Sequence, residues 1–377
     1  MRGNIILSQR EVHRAAVLDQ VAQGALSLRE AAELMCISYR QARRVNSRYR
    51  EQGLASLAHG GRGRPAANAI DPELRARVIE LHEQSYSNFN DTHFAEMLDE
   101  KEDITISREM VRTILRHAGK PPKRRRRPPR HRSRRPRKLR RGIMMQWDGS
   151  PHHWFGEDRP PCCLMGAIDD ADSSLLGALF VPAESSVGYL RLLDMVLKRH
   201  GKPLSAYHDR HTILIRGDDH WSLEEQILGE QFPTHVGRVL RELGIEPIPA
   251  NSPQAKGRIE RSFGIMQDRL IAELEFHGIT DIGNANTWLE EVFIDRYNSR
   301  FAKKPEFPGS AFRKISTKDR YLKIAFAYLA TVANDNCVRL GGLAIDIPPG
   351  KRRRGYAKAK VVVKQHLDGA WTVWLQD

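Results

Sequence analysis

Three apolar segments occupy residues 143–181, which read IMMQWDGSPHHWFGEDRPPCCLMGAIDDADSSLLGALFV. The first segment ends at Asp148, the second ends at the pair Asp169 and Asp170, and the third runs over residues 175–181. Turn-forming residues separate the segments, and each segment has the length of a strand. The stretch therefore predicts three antiparallel strands joined as a meander.

Helices alternate with further strands after the meander. Apolar periodicity predicts helices over residues 187–200, 234–243, 255–275 and 284–298, and strands over residues 203–208 and 245–249. The order β-β-β-α-β-α-β-α is that of a ribonuclease-H-like α/β domain. We therefore predict such a catalytic core over residues 142–300.

Three acids fall at informative places in this core. Asp148 ends the first strand, Asp209 ends the fourth, and Glu260 lies in the first turns of the long third helix. The first and fourth strands of a ribonuclease-H-like sheet are adjacent, so the three carboxylates are expected to converge. Clustered carboxylates need a cation, and hard oxygen ligands suit Mg²⁺ or Mn²⁺. Two such ions, about 3.5–4 Å apart, can support phosphoryl transfer at one site.

Basic residues surround the third acid. Residues 251–261 read NSPQAKGRIER, a turn followed by a helix start. Lys256 lies one helical turn before Glu260 and is predicted to contact a DNA phosphate while Glu260 holds a metal. Arg258 and Arg261 are further candidates for phosphate contacts, and a surface ion pair is an equally good interpretation of Arg261.

The N-terminal residues 1–58 are predicted to form a helix-turn-helix domain. Two capping boxes, at residues 27–30 and 38–41, open two short helices joined by a tight turn. The second helix carries side chains that can read base edges in a major groove. These are Arg40, Gln41, Arg43, Arg44 and Arg48. A helical bundle with a solvated basic face is the alternative.

A Gly/Arg-rich linker and a second helical unit follow. Residues 59–70 contain the pentamer GRGRP, in which Arg62 and Arg64 resemble the arginines of an AT-hook that enters a minor groove. An inert linker is an equally good interpretation. Residues 71–119 have three capped helical segments, which predict either a second DNA-binding unit or a structural one.

The charge of the chain is concentrated in one segment. The net charge is +15 over 377 residues, and residues 120–141 contain 14 Lys or Arg and no Asp or Glu. The segment cannot form a core, and it includes Arg124, Arg125, Arg126 and Arg127. A belt of this kind predicts a linker that follows the phosphates of a nucleic acid. Residues 301–377, with one helix predicted over residues 318–329 and several short strands between glycine turns after it, predict a small C-terminal β-barrel.

Cysteine usage and hydropathy indicate a reducing compartment. The four cysteines are Cys36, Cys162, Cys163 and Cys337, which have neither a disulfide framework nor a CxxC zinc spacing. No apolar run approaches the roughly 18 residues of a membrane span, so a cytosolic protein is expected.

Three motifs around the acids are similar to those of one protein family. They read QWDGS at residues 146–150, YHDRH at residues 207–211 and SPQAKGRIER at residues 252–261. Together with the order of the predicted domains, they resemble the DDE transposases and retroviral integrases. The resemblance is greatest to the ISNCY family of bacterial insertion-sequence transposases, and it covers the whole chain.

The resemblance implies a reaction and its partners. The protein would cut a strand at each end of a transposable element, and the freed 3′-hydroxyl would attack a phosphodiester of target DNA. Asp148, Asp209 and Glu260 would be its catalytic and metal-binding residues, with Mg²⁺ or Mn²⁺ as cofactor. Its partners would be the terminal inverted repeats, target DNA and further copies of the chain assembled on that DNA. A bacterial cytoplasmic protein, associated with the nucleoid when bound, is implied.

The spacing of the acids departs from the family pattern. Fifty residues separate Asp209 from Glu260, more than in many integrase cores, and the extra length lies at residues 212–232. Asp218 or Asp219 in that stretch is a rival for the second acid. We favour Asp209 because it directly follows the predicted fourth strand.

Two other functions fit parts of the sequence. A domesticated, catalytically inactive DNA-binding regulator would share the N-terminal features, although the presence of all three acids argues against decay. A nonspecific ribonuclease-H-like nuclease would share the core, although it would not need two helical DNA-binding units.

Overall fold

The computed structural model describes residues 7–59, 61, 70–124, 135–209, 211–216, 220–250, 256–350 and 355–376. The chain divides into two compact units, residues 1–75 and 76–377. Among the helices of the described ranges, none has both the length and the apolar character that crossing a membrane requires.

The first unit is built from three helices. They are α1 (Gln9–Ala22), α2 (Leu28–Leu34) and α3 (Tyr39–Gln52), and a 3₁₀ turn (Gly53–Leu57) follows. Ser27 and Ser38 close the predicted capping boxes at the starts of α2 and α3. The apolar faces of the three helices meet in one small core around Leu18, Ala31 and Ala42, all fully buried. This is the predicted pair of short helices joined by a tight turn.

The second unit begins with three more helices, α4 (Pro72–Gln84, which starts just before the unit boundary), α5 (Asp91–Lys101) and α6 (Arg108–His117). A five-stranded mixed sheet follows, with strands β1 (Met144–His152), β2 (Cys162–Asp169), β3 (Leu175–Val181), β4 (Ser205–His208) and β5 (Glu246–Pro249). The strand order is β3-β2-β1-β4-β5. The first three strands form the predicted antiparallel meander, and β4 and β5 run parallel to β1.

Helices cover both faces of this sheet. One face packs against α7 (Ser186–Arg199) and α9 (His235–Leu243), and the other packs against α10 (Gly257–Phe276), α11 (Ile282–Trp288) and α12 (Ile294–Phe301). A short π-helical segment, Leu289–Phe293, joins α11 to α12. Every residue of β2 and β3 is buried, as expected of strands covered on both faces. A short helix, α8 (Leu223–Leu228), lies in the stretch between the second and third acids.

The C-terminal region contains one helix and five strands. They are α13 (Thr317–Lys323), β6 (Ala325–Thr331), β7 (Cys337–Leu340), β8 (Leu343–Asp346), β9 (Lys360–His366) and β10 (Trp371–Leu375). Strands β10, β9 and β6 form one sheet, and β7 pairs with β8. Within the part of the chain that the structure describes, these sheets do not close. The β-structure is therefore confirmed, and the closed barrel is not.

One sequence prediction in this region is wrong. The apolar pattern predicts a helix over residues 318–329, but α13 ends at Lys323 and residues 325–331 pair along the whole of β9. Phe326 and Tyr328 pack edge-on against the ring of His235. Strand pairing and these ring contacts override the helical propensity of the isolated segment.

Helix α5 and the loop that precedes it pack directly on α10 and α12. The ring of Tyr86 stacks on Phe276 with centroids 5.2 Å apart, and Tyr86 is almost fully buried. His93 Nε2 lies 3.0 Å from Glu273 Oε1 on α10, and both side chains are buried. Burial lowers the pKa of His93 although Glu273 opposes the shift. These contacts show a structural role for the second helical unit.

Glu273→Ala should therefore destabilise the second unit by about 2 kcal/mol, because it leaves the buried His93 ring without its hydrogen-bond partner and takes one of two carboxylates from Arg296, which keeps Glu100. Arg296 Nη1 lies 2.9 Å from Glu273 Oε2. Urea unfolding measured by tryptophan fluorescence tests this expectation. The exposed Glu291 provides the control, and Glu291→Ala should change the unfolding free energy by less than about 0.5 kcal/mol. Similar losses in the two variants would show that the pair does not hold the helices.

Candidate functional site

Two of the predicted acids lie side by side on neighbouring strands of the sheet. Asp148 lies within β1 and not at its end as predicted, because residues 149–152 continue to pair with β2. Gln146 on β1 pairs in parallel register with Tyr207 on β4. Asp148 lies two residues beyond Gln146, and Asp209 lies two residues beyond Tyr207. Residues two apart on a strand share a face, so the register of these strands brings the two carboxylates together.

Lys256 joins these two acids. Its ammonium donates to Asp148 Oδ2 at 2.8 Å and to Asp209 Oδ2 at 3.2 Å. The Lys256 side chain is only 10% exposed, and it extends from the residue that precedes α10. One cation is therefore shared by two carboxylates, as expected where neighbouring acids both ionise.

The two acids have opposite pKa shifts. Burial raises the pKa of Asp148, and the Lys256 ammonium offsets only part of that shift. Burial would also raise the pKa of Asp209, but the backbone N–H of His211 and the Lys256 ammonium outweigh it and lower the pKa. Burial disfavours the charge on Lys256, yet the two carboxylates raise its pKa and keep it an ammonium.

Glu260 lies one helical turn beyond Lys256 in α10. Its side chain is exposed, and a spacing of four residues puts it on the same helix face as Lys256. The helix predicted over residues 255–275 is held against the sheet by a stripe of buried apolar side chains: Ile259, Phe263, Met266, Leu270 and Leu274. Over the described ranges, no three His, Cys, Asp or Glu side chains are grouped closely enough to hold a metal ion. The structure thus brings Asp148 and Asp209 together and places Glu260 on the adjoining turn.

A fourth carboxylate, which the sequence analysis missed, lies beside Asp148. A Cβ added at Gly149 would come within 2.9 Å of the Glu184 carboxylate, so the glycine makes room for this side chain. Tyr189 donates its hydroxyl to Glu184 Oε1 at 2.6 Å and packs edge-on against Trp147. Burial and the bond to Glu184 raise the pKa of Tyr189, so the hydroxyl remains a donor. The signal in the sequence was an acid just after a buried strand, which Glu184 shares with Asp209.

Asp169 and Asp170, the buried pair at the end of β2, have different kinds of partners. Asp169 accepts hydrogen bonds from the backbone N–H groups of Gly142 and Ala171 at 2.7 and 2.8 Å. Its carboxylate therefore stabilises the turn after β2 and has a structural role. Burial raises the pKa of Asp169 to about 6. Asp170 forms ion pairs with Arg258 and Arg135. Arg258 is therefore engaged with the protein, and its contact with a phosphate stays a prediction, as does that of the exposed Arg261.

The helix α3 presents the predicted DNA-facing side chains to solvent. All five are exposed: Arg40, Gln41, Arg43, Arg44 and Arg48. Arg40, Arg43 and Arg44 line one shallow concavity with Ser47, since residues at these spacings share a helix face. A basic face of this kind is what a major-groove reader requires.

Several predicted residues lie outside the described ranges. They are Arg62, Arg64, Arg125, Arg126, Arg127, Asp218 and Asp219. Arg124 is described, and its Nε lies 3.8 Å from Asp268 Oδ1 on α10.

Comparisons with known proteins identify relatives of this chain. A family model described as a winged helix-turn-helix matches residues 14–76. The protein named "Putative transposase y4bF" of Sinorhizobium fredii is 37% identical over 314 residues, which cover 83% of this chain and 67% of that one. The transposase for insertion sequence IS1202 of Streptococcus pneumoniae is 29% identical, over 95% of this chain and 83% of that one.

Two solved structures are more distant. One is a simian T-cell lymphotropic virus intasome bound to a PP2A regulatory subunit, with 15% identity, a TM-score of 0.32 and coverage of 79% of this chain and 96% of that one. The other is the HTLV-2 integrase catalytic core domain in complex with magnesium, with 18% identity, a TM-score of 0.27 and coverage of 40% and 87%.

Proposed function

The chain belongs to the transposases of insertion sequences, and we propose that it cuts DNA at the ends of such an element and joins those ends to target DNA. The observation that carries this proposal is the meeting of Asp148 and Asp209 on neighbouring strands of the sheet, beside the helix turn that bears Lys256 and Glu260. A site of this kind, open to solvent through Glu260, suits a polymeric phosphodiester substrate.

Asp148, Asp209 and Glu260 are the residues we propose to hold divalent cations. The Lys256 ammonium lies between Asp148 and Asp209, which shows that their two carboxylates can share one positive charge. Their oxygen donors suit Mg²⁺ or Mn²⁺. When bound, two such ions stabilise the attacking and leaving oxygens of an in-line phosphoryl displacement.

The remaining side chains bind and orient the DNA. In the first reaction, a water oxygen bonds to the phosphorus of a phosphodiester at the element's end, which leaves a 5′-phosphate on the flanking DNA. The bond from phosphorus to the 3′-oxygen breaks, and that oxygen leaves as a hydroxyl. In the second reaction, that hydroxyl attacks a target phosphodiester, a new bond joins the two DNAs, and a target 3′-oxygen leaves. Lys256, Arg258 and Arg261 are proposed to contact phosphates near these bonds. No covalent bond between protein and DNA forms.

The domain order supports recognition of specific ends. We propose that residues 1–58 read the terminal inverted repeats through α3. In this proposal the linker of residues 59–70 enters a minor groove through Arg62 and Arg64, and residues 120–141 follow the phosphate backbone. Residues 71–119 contact DNA beside their packing role, and residues 142–300 form the catalytic core. For residues 301–377 we retain a small β-barrel as a proposal, in which the two sheets share one core without closing by strand pairing, because Val338 of β7 and Val363 of β9 belong to one buried cluster. The chain is expected to work as a homo-oligomer on DNA, in the bacterial cytoplasm and on the nucleoid.

Arg44→Ala should weaken binding of end DNA about tenfold, because an arginine that reads a base edge contributes about 1–3 kcal/mol. The salt dependence of binding should also become shallower if Arg44 contacts a phosphate. Titration of labelled end duplex at several salt concentrations measures both. Arg10, on the outer face of α1, is the matched control. Equal losses from Arg10→Ala and Arg44→Ala would indicate nonspecific attraction rather than reading by α3.

The proposed reaction is tested with a plasmid that carries the gene and its native flanks. Wild-type protein with Mg²⁺ or Mn²⁺ is expected to cut at the flanks and to join the freed 3′-ends to other DNA. A folded protein that binds the flanks but neither cuts nor joins them with either ion would contradict the proposal. Such a result would favour a DNA-binding regulator.

A further inference from the structure

We infer that Asp170 is a positioning residue that holds together the three chain segments that carry the proposed catalytic acids. The Asp170 carboxylate is fully buried just after β2. Its inferred role rests on the proposed function, since it concerns the acids proposed for phosphoryl transfer. We infer this positioning role from the side chains that contact the Asp170 carboxylate, which are Gln146, Arg258 and Arg135.

Two of these segments donate to Asp170 directly. Gln146 Nε2 on β1 donates to Asp170 Oδ1 at 2.6 Å. Arg258 Nη1, in the first turn of α10, donates to the same oxygen. Gln146 lies two residues before Asp148, and Arg258 lies two residues before Glu260.

The third segment is held through Arg135. The Arg135 guanidinium pairs with Asp170 and lies over the ring of Tyr207, 5.4 Å from its centroid. Tyr207 lies two residues before Asp209.

The residues two positions before each of the three acids therefore meet at one ion-paired group. On a strand, residues two positions apart lie about 6.6 Å apart on one face, so Gln146 joins the group from the side of β1 that bears Asp148. On α10, residues two apart face different directions, so Arg258 anchors the helix turn and not the Glu260 side chain itself.

The same carboxylate anchors the basic linker. Asp170 Oδ2 accepts the backbone N–H of Lys138 at 2.7 Å, and Arg258 Nη2 donates to the backbone carbonyl of Arg135. Arg137 Nη1 donates to the backbone carbonyl of Asp170 at 3.1 Å. The C-terminal end of the basic linker (residues 120–141), which we propose to follow DNA, is therefore bound to the same Asp170 carboxylate that positions the acids.

The charge balance makes Asp170 hard to replace. One carboxylate faces two guanidinium groups in a site where Arg258 is only 17% exposed. Loss of the negative charge would leave Arg135 and Arg258 repelling each other in a poorly solvated place. The first turn of α10, which bears Glu260 and directly follows Lys256, would then lose one of its ties to β1, and the pair of Lys256 with Asp148 would remain.

Asp170→Asn, which keeps the shape of the side chain, is the test variant in the full-length chain. Asp172→Asn is the matched control, because Asp172 is also buried and is paired with an arginine, Arg141, at 2.9 Å. Hydrogen exchange of residues 257–262, followed by mass spectrometry without DNA or metal, should become at least about tenfold faster in Asp170→Asn. The control should leave exchange in this segment unchanged.

Two kinetic quantities separate positioning from general destabilisation. With end DNA and Mn²⁺ saturating, the cleavage rate of Asp170→Asn should fall about 10–100-fold, the range typical of residues that orient metal ligands. The DNA concentration for half-maximal cleavage should stay within about threefold of wild type, because the DNA-reading helices are untouched. The Mn²⁺ affinity measured by calorimetry should fall as well.

The outcomes distinguish this inference from the proposed function. If wild-type protein does not cleave DNA, the proposed function fails, and hydrogen exchange still decides whether Asp170 holds α10. Unchanged exchange in Asp170→Asn, or equal effects from Asp172→Asn, would overturn the inference. If Asp170→Asn does not fold, Arg258→Lys replaces it, since lysine keeps the charge but cannot bridge Asp170 and the Arg135 carbonyl. Unchanged exchange in that variant would also overturn the inference.

Discussion

Asp148→Asn and Asp209→Asn should each lower DNA cleavage by about a thousandfold or more, because each removes a charged ligand from a site that acts as a unit. The two carboxylates already share the Lys256 ammonium, with oxygens 2.8 and 3.2 Å from Nζ. An asparagine at either position keeps the size of the side chain but cannot supply the negative charge that holds a divalent cation. Binding of end DNA should stay within about threefold of wild type, because α3 is unchanged. Cleavage of the plasmid and titration of labelled ends measure the two quantities separately.

The double variant Asp218→Asn/Asp219→Asn is the control for the second acid. Both residues lie outside the described ranges, in the stretch that lengthens the spacing between Asp209 and Glu260. We expect this variant to keep cleavage within about threefold of wild type. If cleavage survives Asp209→Asn but is lost in the double variant, the second acid is Asp218 or Asp219 and not Asp209.

Glu260→Gln should also reduce cleavage by about a thousandfold, provided that Glu260 completes the set of metal ligands. Glu260 is exposed on the helix face that carries Lys256, so its side chain is free to turn toward the two aspartates. Glutamine keeps the length of the side chain and its helix propensity, and folding should be unaffected. The same cleavage assay, with calorimetric titration of Mn²⁺, measures the effect.

Glu184→Gln is the matched variant for this third ligand. Glu184 lies against Gly149, beside Asp148, and Tyr189 already donates to one of its oxygens. A carboxylate oriented by a neighbouring hydroxyl supports a site from outside, so we expect a loss of about tenfold. A larger loss from Glu184→Gln than from Glu260→Gln would make Glu184 the third ligand and assign Glu260 to DNA contact or to solvent.

Local patterns predicted most of the elements that carry function. The capping boxes at Ser27 and Ser38 and the meander over residues 143–181 depend on neighbours in the chain, and the structure has them where they were expected. The transposase family was also recognisable from the three motifs, and the curated relatives confirm it. The helix predicted over residues 318–329 was wrong in its second half, because β9, more than 30 residues away along the chain, pairs with it.

The contacts around the site needed the tertiary structure. Glu184 lies beside Asp148 because β3 and α7 return along the sheet; the sequence shows only an acid after a buried strand, and not that it reaches Asp148. From the sequence, Arg258 was interpreted as a phosphate contact. Its pairing with Asp170, 88 residues earlier, is visible only in the structure. Both contacts join residues that are distant in sequence and near in space.

The sequence by itself thus determined the family and the order of the core elements, since these depend on periodicity, caps and motifs that are local in the chain. The predicted strand end at Asp148 was wrong, because residues 149–152 continue β1 by pairing with β2. Only the tertiary structure decided which charges meet. Lys256 is shared by Asp148 and Asp209, and Asp170 gathers the segments of all three acids, because the parallel register of β1 with β4 and the packing of α10 put them within hydrogen-bond distance. Electrostatic interactions of buried groups depend on such distances and on exclusion of water, and both are properties of the folded chain.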